Sequence, residues 1–558
     1  MDYSELTSTG EHVFLVTRTH GTSGPVSAQF SSHGDAHDTV SGTLNWADGD
    51  ASILSIRVNV PSKTPGDHRI YLQLSNPTGG AALHFSNHTR AYGVIDDGTI
   101  APDNEAVFFD TNLGSNGNGS QNSPYNNIYD AIANVGAKRY IYGRGTVVPD
   151  STNQGSPYGQ NVNCISVPAS RNSEANRCII RNWPGSTLTV NGNGGNYVSG
   201  FLSTSNESYH TYRGITFINM VTASGAGTPA WGIWYHYGTT AEINVELCDF
   251  DNINGGVGEN HGGVNLYGIT AGRVWRCKFS NIQTNGDNKN GNTGGVYSYL
   301  GNYLSVQRCE FAPTMAKGIF HKRTQTGDIS LCSRFNIFRG CHLTYAISGG
   351  GNPGHAGILV TNNLFIGSGA ALVHHSDQVV SQQNQNQISN NYFYQCGVFD
   401  QGAIQNFGGA DFKIFNNIFD NCRWVYSDEQ GFGGDTPSYF DHNIAFNTQS
   451  NFALDNYNLF SATAYAASFN ANFNQNASAG NPRPTNTATE DFTLQNSSAA
   501  VAAGTGGVDA GIYLTGLEKI GANTVAIINP GSGPAPGPSP AMCTPPPSPV
   551  NGQKIIFS

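Results

Sequence analysis

The stretch "NYFYQCGVFDQGAIQNFGGADFKIFNNIFDNC", residues 391–422, contains one short pattern twice. Asn391 begins the first copy, Asn-Tyr-Phe, and Asn417 begins the second, Asn-Ile-Phe, 26 residues later. A cysteine follows each phenylalanine after three residues. This regular spacing of amide, ring and thiol indicates a unit that repeats along the chain, and its length is typical of solenoid repeats.

The same pattern, Cys or Asn followed two residues later by Phe, extends in both directions. It begins at Cys248, Cys277, Cys309, Asn336, Asn363, Asn391 and Asn417, and Phe217 and Phe446 continue the phenylalanine series at its two ends. Successive phenylalanines are separated by 33, 29, 32, 27, 27, 28, 26 and 27 residues. Each repeat has short β-rich segments between Gly and Asn turns and no amphipathic helix, which favours a β-solenoid. In coils stacked about 4.8 Å apart, we expect a ladder of rings and a second ladder of Cys and Asn.

These repeats resemble the right-handed parallel β-helix of the pectate-lyase-like superfamily. The segment "DTNLGSNGNGSQNSPYNNIYDAIANV", residues 110–135, adds a short predicted helix that would close the N-terminal end of the solenoid. We expect Ser123 as its N-cap, Pro124 at its first position and an apolar stripe that includes Ile128 and Ala131. The resemblance concerns the fold and implies no particular activity.

Residues 4–98 predict a separate β-sandwich, with alternating strands such as "HVFLVTRT" at 12–19 and "ILSIRVNV" at 53–60. The strings "VFLVTRTHGTSGPVSAQF", "SGTLNWADGD", "LSNPTGGAAL" and "VIDDG" resemble the strands and turns of a Calx-β domain. That resemblance implies calcium binding by loop acids, for which the candidates are Glu11, Asp35, Asp38, Asp96 and Asp97. The usual acidic stretch is replaced by "PSKTPGDH", so solvated loop acids are the alternative.

The predicted fold class is therefore all-β, a Calx-β-like sandwich followed by a right-handed parallel β-helix with a short N-terminal capping helix. We expect the sandwich at 1–98, a linker at 99–106, the β-helix at 107–522, a Pro/Gly-rich linker at 523–550 and a terminal strand at 551–558. Only 12% of residues are charged and the net charge is −11, which argues against a nucleic-acid partner because phosphate binding needs a basic face. The sequence contains no apolar run of about 18 residues, so it predicts no membrane span. A polar chain rich in Gly and Asn is typical of extracellular proteins.

The ten cysteines do not form the pattern of a disulfide scaffold or of a zinc site. Two columns of stacked, buried thiols are predicted: Cys248, Cys277 and Cys309, and Cys341, Cys396 and Cys422. Cys164 and Cys178, which flank a 13-residue loop, are the best candidates for a disulfide.

Polar residues recur 9 to 12 positions after each phenylalanine and suggest a groove for polysaccharide along one face. A lyase would need a base and a cation to neutralise a uronate, which Lys322, Arg323, Arg334 and His374 can supply. A glycoside hydrolase would use two of the carboxylates Asp377, Asp400, Asp428 and Glu429. Lys322 lies near the catalytic lysine of alginate-lyase and chondroitinase-like β-helices, yet "LTYAISGGGNPGH" stands where those proteins have an Arg-His pair. The outward face of any solenoid is polar, so the enzyme hypothesis stays open.

The final octapeptide, "NGQKIIFS" at 551–558, predicts a strand after the Pro-rich stretch at 529–550. A Calx-β domain usually begins with a Gly-x-Ile-x-Phe-Ser strand, which the start "MDYSELTSTGEHVFLVTR" largely lacks. The tail can be the beginning of a second such domain, can return to its own sandwich, or can complete the sandwich of another subunit. A solenoid of this length would hold its ends roughly 70 Å apart, which favours donation to another subunit.

In the donation hypothesis, Lys554, Ile555, Ile556 and Phe557 bind the neighbouring subunit, with Ile555 and Phe557 facing its core. Such a head-to-tail contact does not close on itself, so it predicts a filament or sheath of an extracellular or cell-surface protein. The alternatives are a secreted polysaccharide lyase or glycoside hydrolase, and a phage tailspike or glycan-binding adhesin. No cofactor is expected other than calcium.

Overall fold

A computed structural model of the chain describes residues 3–6, 10–19, 23–34, 37–50, 52, 54–60, 68–83, 90–96, 98–150, 163–193, 198–203, 205, 207–221, 229–236, 242–254, 261–282, 293–301, 303–313, 315, 317–323, 331–347, 357–376, 386–397, 402–407, 412–428, 439–448, 453–455, 458–460, 480–505, 509–512, 520–522 and 554–557. In this part of the chain, no helix combines the length and the hydropathy needed to cross a bilayer.

The described residues of the N-terminal region form two β-sheets. In spatial order, the first sheet consists of β1 (Tyr3–Leu6), β8 (Arg90–Ile95), β6 (His68–Ser75), β3 (Val26–Gly34) and β4 (Ser41–Trp46). The second consists of β5 (Leu54–Val60), β2 (Gly10–Thr19), β45 (Lys554–Phe557) and β7 (Ala82–Leu83). A core that includes Val16, Trp46, Val58 and Leu72 joins the two sheets, as expected for a sandwich. The domain limits drawn from the sequence stay predictions.

Most of the other described residues form a parallel β-helix, whose three described sheets are called sheets I, II and III in the order in which each coil visits them. Sheet I contains β9 (Ala106–Asp110), β10 (Tyr140–Val147), β12 (Cys178–Asn182), β15 (His210–Arg213), β18 (Ile243–Glu246), β21 (Gly272–Trp275), β24 (Leu304–Gln307), β27 (Leu331–Arg334), β30 (Ile358–Thr361), β33 (Asn386–Ser389), β36 (Phe412–Phe415) and β39 (Tyr439–Asp441). Sheet II begins on the second half of β10 and continues through β13 (Leu188–Asn191), β16 (Ile215–Val221), β19 (Asp249–Asn254), β22 (Lys278–Ser280), β25 (Glu310–Phe311), β28 (Ile337–Arg339), β31 (Leu364–Ile366), β34 (Tyr392–Tyr394), β37 (Ile418–Asp420) and β40 (Ile444–Phe446).

The described part of sheet III consists of β11 (Asn163–Ser166), β14 (Val198–Ser203), β17 (Trp231–Tyr235), β20 (Gly262–Tyr267), β23 (Gly294–Tyr299), β26 (Lys317–Arg323), β29 (His342–Ile347), β32 (Leu372–Ser376), β35 (Ile404–Phe407), β38 (Tyr426–Asp428), β41 (Ala453–Asp455) and β42 (Asn458–Phe460). Its strands are parallel except β42, which turns back against β41. The predicted all-β fold class, with a parallel β-helix as its largest part, is confirmed.

The phenylalanine ladder is confirmed from Phe217 to Phe419. Adjacent rings along this series stack with centroids 4.6–5.0 Å apart, and the rings are buried. The extension to Phe446 is wrong, because Ala445 is the register partner of Phe419 and Phe446 pairs with Asp420. One residue of displacement in a strand moves the side chain to the other face.

The asparagine ladder lies beside the rings, at the corner between sheets I and II. The Asn363 Nδ2 group donates to Ser333 O at 2.9 Å and to Asn391 Oδ1 at 3.1 Å, so each amide bonds along the stack. Each corner is made by one residue with positive φ just before the ladder position, such as Asn362 and Asn390. Asparagine tolerates this left-handed conformation better than most residues.

The two predicted thiol columns are also confirmed as buried, free cysteines of the solenoid core. The predicted Cys164–Cys178 disulfide is wrong, since neither cysteine forms a disulfide. The physical reason is their position: Cys164 packs in an outer cluster beside Trp231, whereas Cys178 belongs to the solenoid core.

The capping helix α1 (Ile128–Asn134) exists, with Ile128 and Ala131 buried as predicted. Its N-cap is Asn127, whose side chain accepts from the Asp130 N–H, so the prediction of Ser123 and Pro124 as the first residues is wrong. The intervening Tyr125 is held in extended backbone instead, because its N–H donates to Phe108 O at 2.9 Å.

After the last coil, the chain runs back along the outside of sheet II. This return segment, residues 480–522, starts with a hairpin of β43 (Pro484–Asn486) and β44 (Asp491–Leu494). Its Gly511 N–H then donates to Asn416 O, and its Gly521 N–H donates to Phe335 O, three coils nearer the N-terminal end. Apolar side chains such as Phe492 and Ile512 cover sheet II.

Candidate functional site

The C-terminal strand β45 lies inside the N-terminal sandwich. It pairs antiparallel with β2, with Val16 opposite Phe557 and Thr19 opposite Lys554, and parallel with β7, with Lys554 opposite Ala82. The strand is therefore an internal member of its sheet, and we call its position between β2 and β7 the strand slot. Without β45, the backbone N–H and C=O groups on one side of β2 would have no strand partner.

The register aligns β45 with the core of the sandwich. Val16 is fully buried, and Phe14 on the same face of β2 is 2% exposed. Directly opposed residues of antiparallel strands share a face of the sheet. Phe557 and Ile555 therefore occupy the positions opposite core-facing Val16 and Arg18.

Arg18 ties the loops at one end of the strand slot. Its guanidinium donates to Ser23 O and Gly24 O, both at 2.8 Å, and to Ala47 O at 3.2 Å. The Gly24 N–H in turn donates to Asp48 Oδ1 at 2.6 Å. These bonds fix the end of the slot next to the position where Ile555 pairs.

The sandwich is docked on the outer face of sheet I through a buried ion network. Arg69 of the sandwich donates to both carboxylate oxygens of Glu246, at 2.7 and 2.9 Å. Arg213 of the solenoid donates to Glu246 at 3.0 Å and to Asp96 of the sandwich at 2.8 Å. The side chain of Glu246 is fully buried, so its charge depends on these two partners.

Burial opposes ionisation of the Asp96 carboxyl, but attraction by Arg213 and Arg181 outweighs it and holds its pKa well below the usual range. An apolar cluster accompanies the ion network, in which Val94 of the sandwich packs with Trp275, Cys332 and Leu359 of sheet I. The sandwich therefore covers the flank of the middle coils.

The return segment ends at the same coils. Its last described residue, Ala522, accepts a hydrogen bond from Arg276 Nε at 3.3 Å, and its N–H donates to Glu310 at 2.9 Å. The Arg276 guanidinium lies 5.2 Å from the ring centroid of Trp275, which belongs to the cluster that contacts the sandwich. The expectation that the solenoid holds the two ends apart is therefore wrong, because the sandwich and the return segment both fold back onto the middle coils.

The predicted catalytic residues are divided between two sheets. Lys322 is half-buried on β26 of sheet III, with Nζ 5.4 Å from the centroid of the Tyr299 ring. The backbones of Arg323 and His374 lie on strands of the same sheet, and their side chains are outside the described part of the structure. Arg334 lies on sheet I, buried and 5.2 Å from the Phe335 ring, so the fold does not place it on the sheet of Lys322. The catalytic role of these residues stays a prediction.

Of the four carboxylates predicted for a glycoside hydrolase, the structure describes only the backbone of Asp428, in β38. Asp377, Asp400 and Glu429 lie outside the described residues.

Sequence reasoning missed an aromatic and cationic column on sheet III. His236, Tyr267, Tyr299 and Lys322 occupy one position in four successive strands or at their ends. The rings of Tyr267 and Tyr299 are 5.1 Å apart, and both residues are half-buried. Lys317 lies nearby on β26, where burial, and then repulsion by Lys322, lower its pKa to about 8. Aromatic residues at this repeat position were the signal that could have revealed the column.

The predicted calcium ligands do not form one group among the described residues. The Asp96 carboxylate is bound by two arginines, and Asp38 accepts from the Asn59 side chain at 2.8 Å. The side chain of Glu11 is not described, and Asp35 and Asp97 lie outside the described residues. The described part of the chain holds no cluster of three His, Cys, Asp or Glu suited to a metal ion, so calcium binding stays a prediction.

Fold and strand slot together define a two-region parallel β-helix protein whose last strand completes its first domain. No protein family matches the chain, and no curated protein does. Among solved structures, it is similar to the pectate lyase Pel9A, at 17% identity over 73% of this chain and 96% of that chain, with a TM-score of 0.40. It is also similar to the catalytic unit of a GH87 alpha-1,3-glucanase from Streptomyces thermodiastaticus, at 10% identity over 84% and 86%, with a TM-score of 0.33. The N-terminal region is similar to the apo-form Calx CBD1 domain, at 20% identity over 17% and 88%, with a TM-score of 0.16. At these values the likenesses indicate no activity for this chain.

Proposed function

We propose that the protein is an extracellular or cell-surface assembly subunit, in which β45 of one molecule fills the strand slot of the next and links subunits head to tail. The observation that carries this proposal is the internal position of β45, with β2 on one side and β7 on the other. A strand that completes a sheet contributes backbone hydrogen bonds and buried apolar area in the same way whether it comes from its own chain or another.

The length of the tail permits both arrangements. The chain between Ala522 and Lys554 can reach on the order of 100 Å when extended, and its many prolines favour extension. Because a donated strand leaves each subunit with one filled slot and one strand to give, the contact is heterologous and propagates. A filament or sheath is the product of that geometry.

Competition with a subunit's own strand sets the conditions for assembly. A tether of this length gives its strand an effective concentration on the order of millimolar at its own slot. Donation therefore requires a comparable local concentration of subunits, or further contacts at each junction worth about 4 kcal/mol for assembly at micromolar concentration. A crowded cell surface or a stack of solenoids can provide either.

Removal of residues 551–558 tests the proposal. We expect the full chain, concentrated towards the millimolar range, to form filaments visible by negative-stain microscopy, and the truncated chain to remain monomeric with its β-helix intact. Circular dichroism of the truncated chain is the control for folding. Equal assembly of both proteins would contradict strand donation.

A second function is favoured by the column of Tyr267, Tyr299 and Lys322 on sheet III. Half-buried aromatic rings with a neighbouring lysine can stack on sugar rings and neutralise a carboxylate, so we propose that an acidic polysaccharide binds along this column. Binding is measured by calorimetry with a panel of uronate polymers, and Lys322→Ala should weaken it at least tenfold. Release of unsaturated uronates that is lost in Lys322→Ala would support a lyase, whereas binding without release would support an adhesin.

A further inference from the structure

We propose that β45 seated in its own strand slot is a self-cap, which keeps the monomer closed until the strand leaves. This inference rests on the proposed strand donation and adds its regulation. It predicts that opening of the slot precedes every addition of a subunit, and that a subunit with a locked tail can neither give nor accept a strand.

The first step is that the strand slot holds one strand. β2 pairs with β5 along one edge and with β45 along the other, so an occupied slot leaves β2 no free edge. The positions opposite Val16 and Arg18 are filled by Phe557 and Ile555. A second strand from another molecule can therefore enter only after β45 has left.

The second step is that contacts link the start of the tether, at Ala522, to the sandwich that contains the slot. Ala522 is bound by Arg276, Arg276 lies against Trp275, and Trp275 packs in the cluster that contains Val94 of the sandwich. The sandwich itself is fixed to sheet I by the Arg69–Glu246 ion pair. These contacts keep the terminal strand of a chain near its own slot.

The third step is how strongly the tether favours a subunit's own strand over a strand from another molecule. At micromolar subunit concentration, a tethered strand with an effective concentration on the order of millimolar is favoured over a strand from another molecule by about a thousandfold. The closed monomer is then the main species in dilute solution, and assembly begins only from the small open fraction.

A crosslink across the slot tests the self-cap. Thr17 and Ile556 are direct register partners, and we replace both by cysteine, with Cys543→Ser to remove the remaining thiol outside the described residues. The nine described cysteines are buried and should not react. A short bismaleimide added to dilute protein should yield an intrachain crosslink. The crosslinked protein should still run as a monomer in denaturing electrophoresis, and mass spectrometry should locate the crosslink between positions 17 and 556. Once concentrated, the locked protein should assemble at least tenfold more slowly than the same variant without crosslinker.

The matched control carries cysteines at Ser27 and Asn45, which are register partners on β3 and β4 of the same sandwich. Its crosslinked form leaves the tail free and should assemble as the wild type does. Equal assembly of locked and unlocked tails would overturn the self-cap and strand donation together, because filaments would form while every strand is held in its own slot. Only interchain crosslinks in dilute protein would overturn the self-cap alone, because the strand would then sit in the slot of another molecule and donation would stand. Failure of every variant and of the wild type to assemble would overturn strand donation itself, and the self-cap with it.

Discussion

The phenylalanine stack depends on glycine in the facing strands of sheet III. A Cβ built on Gly263 would lie 2.5 Å from the Phe279 ring, and one built on Gly295 would lie 2.8 Å from the Phe311 ring. The glycine column thus makes room for one ring in each of these coils. The abundance of glycine in the sequence has a packing reason here, separate from turn conformation.

The first prediction concerns this packing. Gly295→Ala should destabilise the surrounding coils by about 1–3 kcal/mol, because the added methyl group would meet both the Phe311 ring and Gly318 O at 2.8 Å. Hydrogen exchange of the amides in β23 and β25 measures the effect. The control is Gly114→Ala, where a Cβ has no atom within 4 Å. Unchanged exchange in the Gly295 variant would contradict the close contact.

A second prediction tests a member of the ladder itself. Phe365 is fully buried between Phe338 and Phe393, so Phe365→Ala should cost about 3–5 kcal/mol locally. Exchange of the β31 amides should rise accordingly, with Val148→Ala as a control because Val148 is 52% exposed. Equal protection of the β31 amides from hydrogen exchange in the variant and the wild type would mean that the Phe365 ring does not stabilise its coil.

At the residue scale, inward positions could be predicted because they repeat once per coil. The rings, amides and thiols of the ladders share one spacing, so seven copies of one pattern sufficed to place them. Phe446 broke the pattern because the register of the last coil places Ala445 at the ladder position. Arg334 could not be assigned to a sheet from spacing alone, since offsets from a phenylalanine do not show where a coil turns.

At the scale of elements, the docking of the sandwich on sheet I depends on Glu246. Two arginines, one from each region, share this buried carboxylate, and Asp96 completes the network from the sandwich side. Sequence reasoning missed this interface because its charges are far apart in the chain and follow no repeat. The same interface places the sandwich on the coils where the return segment ends.

The third prediction is that Glu246→Ala releases the sandwich from the solenoid. The change leaves Arg69 and Arg213 buried without this partner, which should cost about 3–5 kcal/mol at the interface. Limited proteolysis between residues 96 and 106 should become faster. Glu490→Ala is the control, since its pair with Arg339 is partly exposed to solvent, whereas Glu246 is fully buried, and should contribute about 1 kcal/mol. Unchanged proteolysis in the Glu246 variant would show that the ion network does not hold the two regions together.

The fourth prediction is the pH dependence of docking. Because the pKa of Asp96 is lower in the folded protein than in the unfolded chain, its contribution to stability is complete above about pH 4 and is lost as the pH falls further. Small-angle scattering should thus report a docked sandwich from pH 8 to pH 5, and release only at stronger acidity. Asp96→Asn should weaken docking across the whole range. Release of the wild-type sandwich between pH 7 and pH 5 would contradict this assignment.

At the scale of the whole molecule, the tail was predicted as a strand of a Calx-β-like sandwich, and the structure pairs it with β2 and β7 of that region. The consecutive β-favouring residues Ile555, Ile556 and Phe557 made the strand predictable, whereas the sequence did not show which molecule supplies the sandwich that it joins. The estimate of widely separated ends assumed a sandwich at one end of the solenoid and a tail at the other. Tertiary contacts at Arg69, Glu246, Arg276 and Ala522 bring both to the middle coils.

Strand donation between subunits is tested most directly by pairing a donor with an acceptor. The acceptor lacks residues 551–558 and carries Thr17→Cys, so its slot is empty; the donor is full-length with Ile556→Cys. Both carry Cys543→Ser, and both are mixed near millimolar concentration with a short bismaleimide. Strand donation predicts a crosslinked heterodimer joined between positions 17 and 556, and its loss when the donor carries cysteine at Ser55, on the β5 side of β2, instead of position 556. Absence of the heterodimer, with an acceptor that remains folded, would contradict donation and leave β45 as a strand of its own chain alone.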